Sequence, residues 1–116
     1  MSDTHTVDQH FATCEPSITQ TYHQLLTATR AFGEVAEDPK KTSIHLIRKT
    51  AFAGVAVRKS AIILTIKSTH SSDSPRIFKQ EQTSASRWHL EVKLTSPDDV
   101  DAELIGWLQA AWEISG

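Results

Sequence analysis

The stretch FAGVAVRKSAIILTIKS, residues 52–68, is the most strongly β-prone part of the chain. Its two halves, 52–57 and 61–67, are rich in β-branched side chains, which favour strands. Between them lie Arg58 and Lys59, in a short turn. Two apolar runs joined so closely predict an antiparallel hairpin at the centre of a sheet.

Shorter β-prone segments flank this hairpin on both sides. TSIHLIR (42–48) precedes it, and RIFKQEQ (76–82) and RWHLEVKL (87–94) follow it after the polar loop 68–75. The last segment alternates apolar with polar side chains, the pattern of a strand with one buried and one wet face. We therefore expect an antiparallel sheet of about five strands. In the last strand the core side carries Trp88, Leu90, Val92 and Leu94, and the wet side carries Arg87, His89, Glu91 and Lys93.

Helical patterns stand at both ends of this β-rich region. Near the N-terminus, Thr13 and Pro16 suit a helix start, apolar residues follow at helical spacing, and Gly33 suits the C-cap. Near the C-terminus, SPDD (96–99) suits a capped helix start, and an apolar stripe continues to Ile114. The order of elements predicts a two-layer α+β fold, with the N- and C-terminal helices packed on one face of the sheet.

Length and composition indicate one globular domain. The chain has 116 residues, of which 39% are hydrophobic and 22% charged, close to ordinary globular usage. Residues 1–10 are polar and aperiodic, so we expect a mobile N-terminal tail followed by a single domain over 11–116. Because no apolar stretch reaches membrane-spanning length and Cys14 is the one cysteine, the sequence favours a cytoplasmic protein with no membrane contact and no disulfide framework.

The small net charge hides a strong segregation of charge along the chain. The formal net charge is −2, yet residues 40–79 hold nine basic side chains and one acid, while the remainder holds three bases and thirteen acids. A local excess of positive charge within the predicted sheet points to an anionic partner, or to charges that keep exposed strands from pairing with other chains.

Several segments together carry a resemblance to a known family. They are Phe11, residues 33–67, SPRI (74–77), RWHLEVKL (87–94) and DDVDAELIGWLQAAWEIS (98–115). In the pattern and order of these segments the chain resembles an uncharacterised bacterial domain family, domain of unknown function 5655, along nearly its whole length after the tail. The resemblance implies a small α+β domain, found alone or beside another uncharacterised domain, and it implies no activity.

The predicted phase of the strands places basic side chains on the face away from the helices. If Ile44 and Leu46 point to the core, His45 points outward, and the same alternation holds in later strands. Arginine offers a two-pronged contact to phosphate or carboxylate, and histidine a charge near neutral pH. The candidate ligand-binding residues are His45, Arg48, Arg58, Lys59, Lys67, Arg87, His89 and Lys93. We expect a non-enzymatic binding module for an anionic small molecule or protein.

Two other kinds of partner are alternatives. Nucleic acid is the less favoured anion, because exposed aromatic residues that would stack on bases are not evident in the pattern. A self-associating interaction module would pair through an exposed strand or through Trp112, so the chain is expected to be a monomer or a homodimer.

A metal-binding or hydrolytic enzyme is a further alternative with weaker signals. None of the six histidines pairs with another at a metal-ligand spacing. The acidic run 98–103 suits a hard cation or iron in principle, but helix capping already explains acids there. Cys14 lacks the signature of an activated nucleophile. We therefore expect no catalytic residue, no metal site and no cofactor.

Overall fold

The fold is given by a computed structural model of the protein, which describes residues 6–116. Three α-helices lie in the described chain: α1 (Val7–His10), α2 (Pro16–Arg30) and α3 (Ala102–Glu113). Residues 1–5 of the expected tail lie outside the described residues, and α1 occupies most of the rest of it. The mobility expected for residues 1–10 stays a prediction.

Six antiparallel strands of the described chain form one sheet in the order β1-β2-β3-β4-β6-β5. The predicted α+β class, the antiparallel sheet and the terminal helices are confirmed, with six strands where about five were expected. The strands are β1 (Ala36–Pro39), β2 (Ile44–Ile47), β3 (Ala51–Val57), β4 (Ile62–Ser68), β5 (Ile77–Ser84) and β6 (Arg87–Leu94).

The additional strand is β1, whose sequence AEDP is poor in strand-forming residues. It lies at the sheet edge, where a proline is tolerated because one side of the strand needs no ladder hydrogen bond. Tyr22 of α2 donates a hydrogen bond of 2.6 Å to the Glu37 carboxylate, which fixes the strand to the helix layer. Tertiary contacts of this kind override the weak local preference.

The helices begin differently from the sequence prediction. Thr13 does not cap α2, whose N-cap is Glu15; the Glu15 backbone N–H instead donates to the Lys59 carbonyl oxygen at 2.9 Å. The SPDD segment forms a short 3₁₀ helix, Pro97–Asp99, closed by a capping box, and α3 begins only after Asp101, whose carboxylate accepts from the Leu104 N–H. The backbone of the intervening Val100 leaves the helical region.

One hydrophobic core lies between the helix layer and one face of the sheet. Its fully buried members include Ile18 and Leu25 of α2, Leu64 and Leu94 of the sheet, and Leu108 of α3. No helix of residues 6–116 packs on the opposite sheet face, which is here called the outer face. Among residues 6–116, no helix combines the length and apolar character needed to cross a bilayer.

Candidate functional site

A shallow depression lies near the middle of the outer face. His45, Gly54 and Thr65 stand side by side on β2, β3 and β4 in the sheet register. Because Gly54 has no side chain, and its neighbour Ala56 on the same face has a small one, the surface dips between the taller side chains around them. The depression encloses about 260 Å³ and is here called the Gly54 depression. Its lining also includes Ser43, Ala51, Lys67 and His89.

Lys67 is the main positive charge of the Gly54 depression. Its ammonium donates to the Thr50 hydroxyl at 3.2 Å. Partial burial, together with the nearby charge of Arg87, lowers the pKa of Lys67 below its usual 10.5. Both effects disfavour the charged form of the side chain. A bound anion would instead favour the charged form of Lys67. The environment of this side chain therefore suits an anionic ligand.

Two more predicted residues, His89 and Arg87, accompany Lys67 at this end of the face. His89 is exposed and directly opposite Lys67 in the register of β4 and β6. Arg87 precedes His89 by two residues and lies on the same side of β6. Arg87 donates to the Ser86 carbonyl oxygen at 2.9 Å. Among the described residues, no carboxylate lies within 4.0 Å of the charged nitrogens of Lys67, Arg87, His45 or His89.

Acidic side chains bound this basic area on the side of β5. Glu91 is the register partner of Thr65 and forms an ion pair with Lys79, with 3.7 Å between nitrogen and oxygen. Glu81 is the register partner of His89. On the opposite side, Asp38 of β1 is the register partner of His45 and forms an ion pair with Lys40 at 2.9 Å. Acidic side chains therefore bound the basic area on both sides.

A second cationic group lies at the other end of the outer face. Arg58 and Lys59 of the β3–β4 turn and Lys93 of β6 surround a wide, open depression of about 580 Å³. Its apolar wall is formed by Ile63 and Phe78. These five residues are here called the Phe78 patch. Three of the eight predicted ligand-binding residues thus lie together here. Three others, His45, Lys67 and His89, line the Gly54 depression, and Arg87 lies near Lys67 beside it.

Arg48, the eighth predicted residue, lies apart from both groups. Its guanidinium carbon is 3.6 Å from the centre of the Trp112 ring, and its Nη1 donates to the Trp112 carbonyl oxygen at 3.1 Å. This cation–π contact joins the β2–β3 turn to the end of α3 in the helix layer. Arg48 therefore stabilises the packing of α3 against the sheet.

Sequence reasoning did not single out Gly54 or Phe78. A glycine inside a strand marks a place where the backbone is closely approached or left open, so Gly54 carried a usable signal. Phe78 carried no readable phase, because the β5–β6 register shifts between Ile77 and Lys79 and alternation fails there.

The acidic run near α3 has structural partners. Asp99 accepts from the Thr95 and Ser96 N–H groups, and Arg76 donates to Asp101 at 2.7 Å and to Glu103 at 3.4 Å. The Leu104 N–H and Arg76 together hold the pKa of Asp101 below its usual value. Within residues 6–116, no three His, Cys, Asp or Glu side chains are grouped so as to hold a metal ion.

The described hydrogen bonds of the Cys14 thiol are local. Its Sγ lies 3.5 Å from the Phe11 carbonyl oxygen and 3.5 Å from the Thr19 hydroxyl. No histidine contact accompanies it among the described hydrogen bonds, so the arrangement offers a nucleophile no base.

Comparison with known proteins places the chain by family alone. A family model described as Domain of unknown function (DUF5655) matches residues 7–115. No curated protein and no solved structure gives a match.

Proposed function

The chain belongs to the DUF5655 family, and we propose that it is a binding module that holds a phosphate- or carboxylate-bearing ligand on the outer face of its sheet. The proposal concerns recognition and assigns no chemical step. It keeps the function expected from the sequence and locates it at the Gly54 depression.

One observation carries the proposal. Lys67, His45 and His89 line the Gly54 depression together, and no described carboxylate lies within 4.0 Å of their charged nitrogens. Charged side chains that serve only solubility normally extend into water or pair with a neighbour of opposite sign. Lys67 pairs with no described acid; its ammonium instead donates to the Thr50 hydroxyl and lies near a second cation, Arg87.

The side chains around the Gly54 depression provide several hydrogen-bond donors for an anion. The Lys67 ammonium provides up to three donors, one of which is used by Thr50. Thr65 contributes a hydroxyl, and the histidine rings contribute N–H donors. The apolar floor lets part of a ligand displace water. Charge-assisted hydrogen bonds to such a set are about twice as strong as neutral ones.

Replacing Lys67 by glutamine is expected to weaken binding of pyrophosphate about tenfold or more, because one charge-assisted hydrogen bond is lost. Isothermal titration calorimetry at low salt measures the affinity. Arg30→Gln is the matched control: it removes one positive charge from α2, in the opposite layer, where Arg30 faces Glu37 at 3.5 Å. This control is expected to bind as the wild type does.

A pH series adds a second readout with sulfate as the probe, since sulfate keeps its charge through the alkaline range. The pKa of Lys67 in the free protein lies below 10.5, so the affinity for sulfate should fall as pH rises through that lowered value.

Equal losses of pyrophosphate affinity in Lys67→Gln and Arg30→Gln would show a general charge effect and contradict the proposed site.

A further inference from the structure

Phe78 is the one large hydrophobic side chain that the described residues leave exposed, with 56% of its surface accessible. It stands at the register shift of β5, where one residue more than in β6 is accommodated. Bulges of this kind redirect a side chain. Here the ring is brought to the outer face beside Ile63, which lies two strands away in the sheet order.

Cations surround this exposed ring. Arg58, Lys59 and Lys93 line the same patch, and no described carboxylate lies within 4.0 Å of their charged nitrogens. Glu15 contacts the turn without pairing with these cations: its carboxylate accepts from the Ser60 hydroxyl at 2.7 Å. A flat aromatic surface next to three cations suits a ligand that combines a planar ring with negative charge.

The Phe78 patch and the Gly54 depression belong to one continuous surface. Lys93 is the register partner of Ile63, and Lys67 lies four residues further along β4. At about 3.3 Å per residue, the two cationic ends are roughly 13 Å apart along the strand. On β3 and β4 the surface between them is formed by Gly54, Ala56 and Thr65, which carry no charge. On β6, Glu91 lies beside Thr65, and its charge is paired with Lys79. A ligand with several spaced negative charges would use both ends.

Building on the proposed function, we infer that the outer face binds a short single strand of nucleic acid, with phosphates at both cationic ends and one base stacked on Phe78. Sheet faces bind single strands through stacking on exposed aromatic rings and through cations that follow the backbone. A second copy of the chain fits poorly, because pairing two outer faces would bring their cations together.

Fluorescence anisotropy with a labelled twelve-nucleotide oligo(dT) tests the inference. Phe78→Ala is expected to lower the affinity about tenfold, the usual effect of losing one base–aromatic stack. Phe78→Tyr should bind nearly as the wild type does, because it keeps the ring. Phe78→Leu, which keeps apolar area without a ring, should bind as weakly as Phe78→Ala. Since Phe78 is exposed, none of these changes should impair folding.

The salt dependence of the same binding reports how many phosphates the protein neutralises. For single strands, the slope of log affinity against log salt falls in magnitude by about 0.7 for each phosphate that is no longer neutralised. The double variant Arg58→Gln/Lys59→Gln should therefore reduce the slope by about 1.4. An unchanged slope would overturn the assignment of these two side chains to the strand.

Polyphosphate, which carries the charge without bases, separates this inference from the proposed function. If polyphosphate binds as tightly as oligo(dT) and Phe78→Ala weakens neither, the nucleic-acid inference is overturned while anion binding stands. The inference is also overturned if thymidine monophosphate binds as tightly as the oligomer, or if an oligoglutamate peptide displaces it equally well. If pyrophosphate, polyphosphate and oligo(dT) all fail to bind, both proposals are wrong.

Discussion

Trp112→Ala is expected to lower the free energy of unfolding by about 3 kcal/mol, the lower end of the range for removing a large aromatic side chain because the ring is half-buried. In a domain of this length, such a loss corresponds to a fall in Tm of roughly 10 °C. The cause is that Trp112 joins three parts of the chain at the end of α3.

The Trp112 ring contacts residues from three other parts of the chain. Arg48 lies over the ring, Phe32 packs beside it with 6.2 Å between ring centres, and its Nε1 donates to the Glu34 carbonyl oxygen at 3.0 Å. Gly33 adopts a φ of 152°, and a Cβ there would lie 2.7 Å from Cζ2 of Trp112. Glycine is thus required both by its backbone angle and by the ring.

Urea denaturation followed by circular dichroism measures the predicted loss. Trp112→Phe serves as the comparison, because it keeps an aromatic surface under Arg48 while removing the indole N–H; it should lose clearly less stability than Trp112→Ala. A loss below about 0.5 kcal/mol for Trp112→Ala, the range of ordinary surface substitutions, would show that the ring does not hold α3 against the sheet.

Gly54→Val is expected to abolish pyrophosphate binding while leaving the protein folded. A Cβ at position 54 would meet the His45 Cδ2 at 3.9 Å and the Thr65 Cβ at 4.0 Å, which are ordinary contacts. Valine is also a better strand former than glycine, so stability should stay constant or rise slightly. The valine side chain fills the floor of the Gly54 depression and sterically excludes the ligand.

Calorimetric titration and thermal unfolding of the same sample test both halves of this prediction. Gly106→Ala is the control, because a Cβ at this exposed position of α3 meets nothing within 4 Å and should stabilise the helix without affecting binding. If Gly54→Val is folded and binds pyrophosphate with wild-type affinity, the depression is not the binding site.

The central part of the sheet was predictable because its residues act locally. β-branched runs and strict alternation predicted the hairpin 52–68 and the strand 87–94, and the latter matches β6 at both ends. The strand order was not predictable, because alternation does not say which neighbour a strand chooses. In the structure β6 lies inside and β5 at the edge, since β6 buries Leu90, Val92 and Leu94 whereas nearly all of β5 is exposed.

The candidate site was predictable to the extent that strand phase determines it. Alternation alone assigns His45, Lys67 and His89 to one face, where the register also places them. The arrangement of the remaining residues depends on long-range packing that no local pattern contains. Arg48 turns to Trp112 of α3, and Phe78 emerges at a register shift.

Chemical-shift mapping of the backbone amides during a pyrophosphate titration would locate the binding surface on the fold. If the outer face is that surface, the amides of His45, Gly54, Thr65 and Lys67 should move progressively and saturate, while those of α2 and α3 stay in place. Shifts confined to the helix layer, or a spectrum that does not change at millimolar pyrophosphate, would contradict anion binding on the outer face.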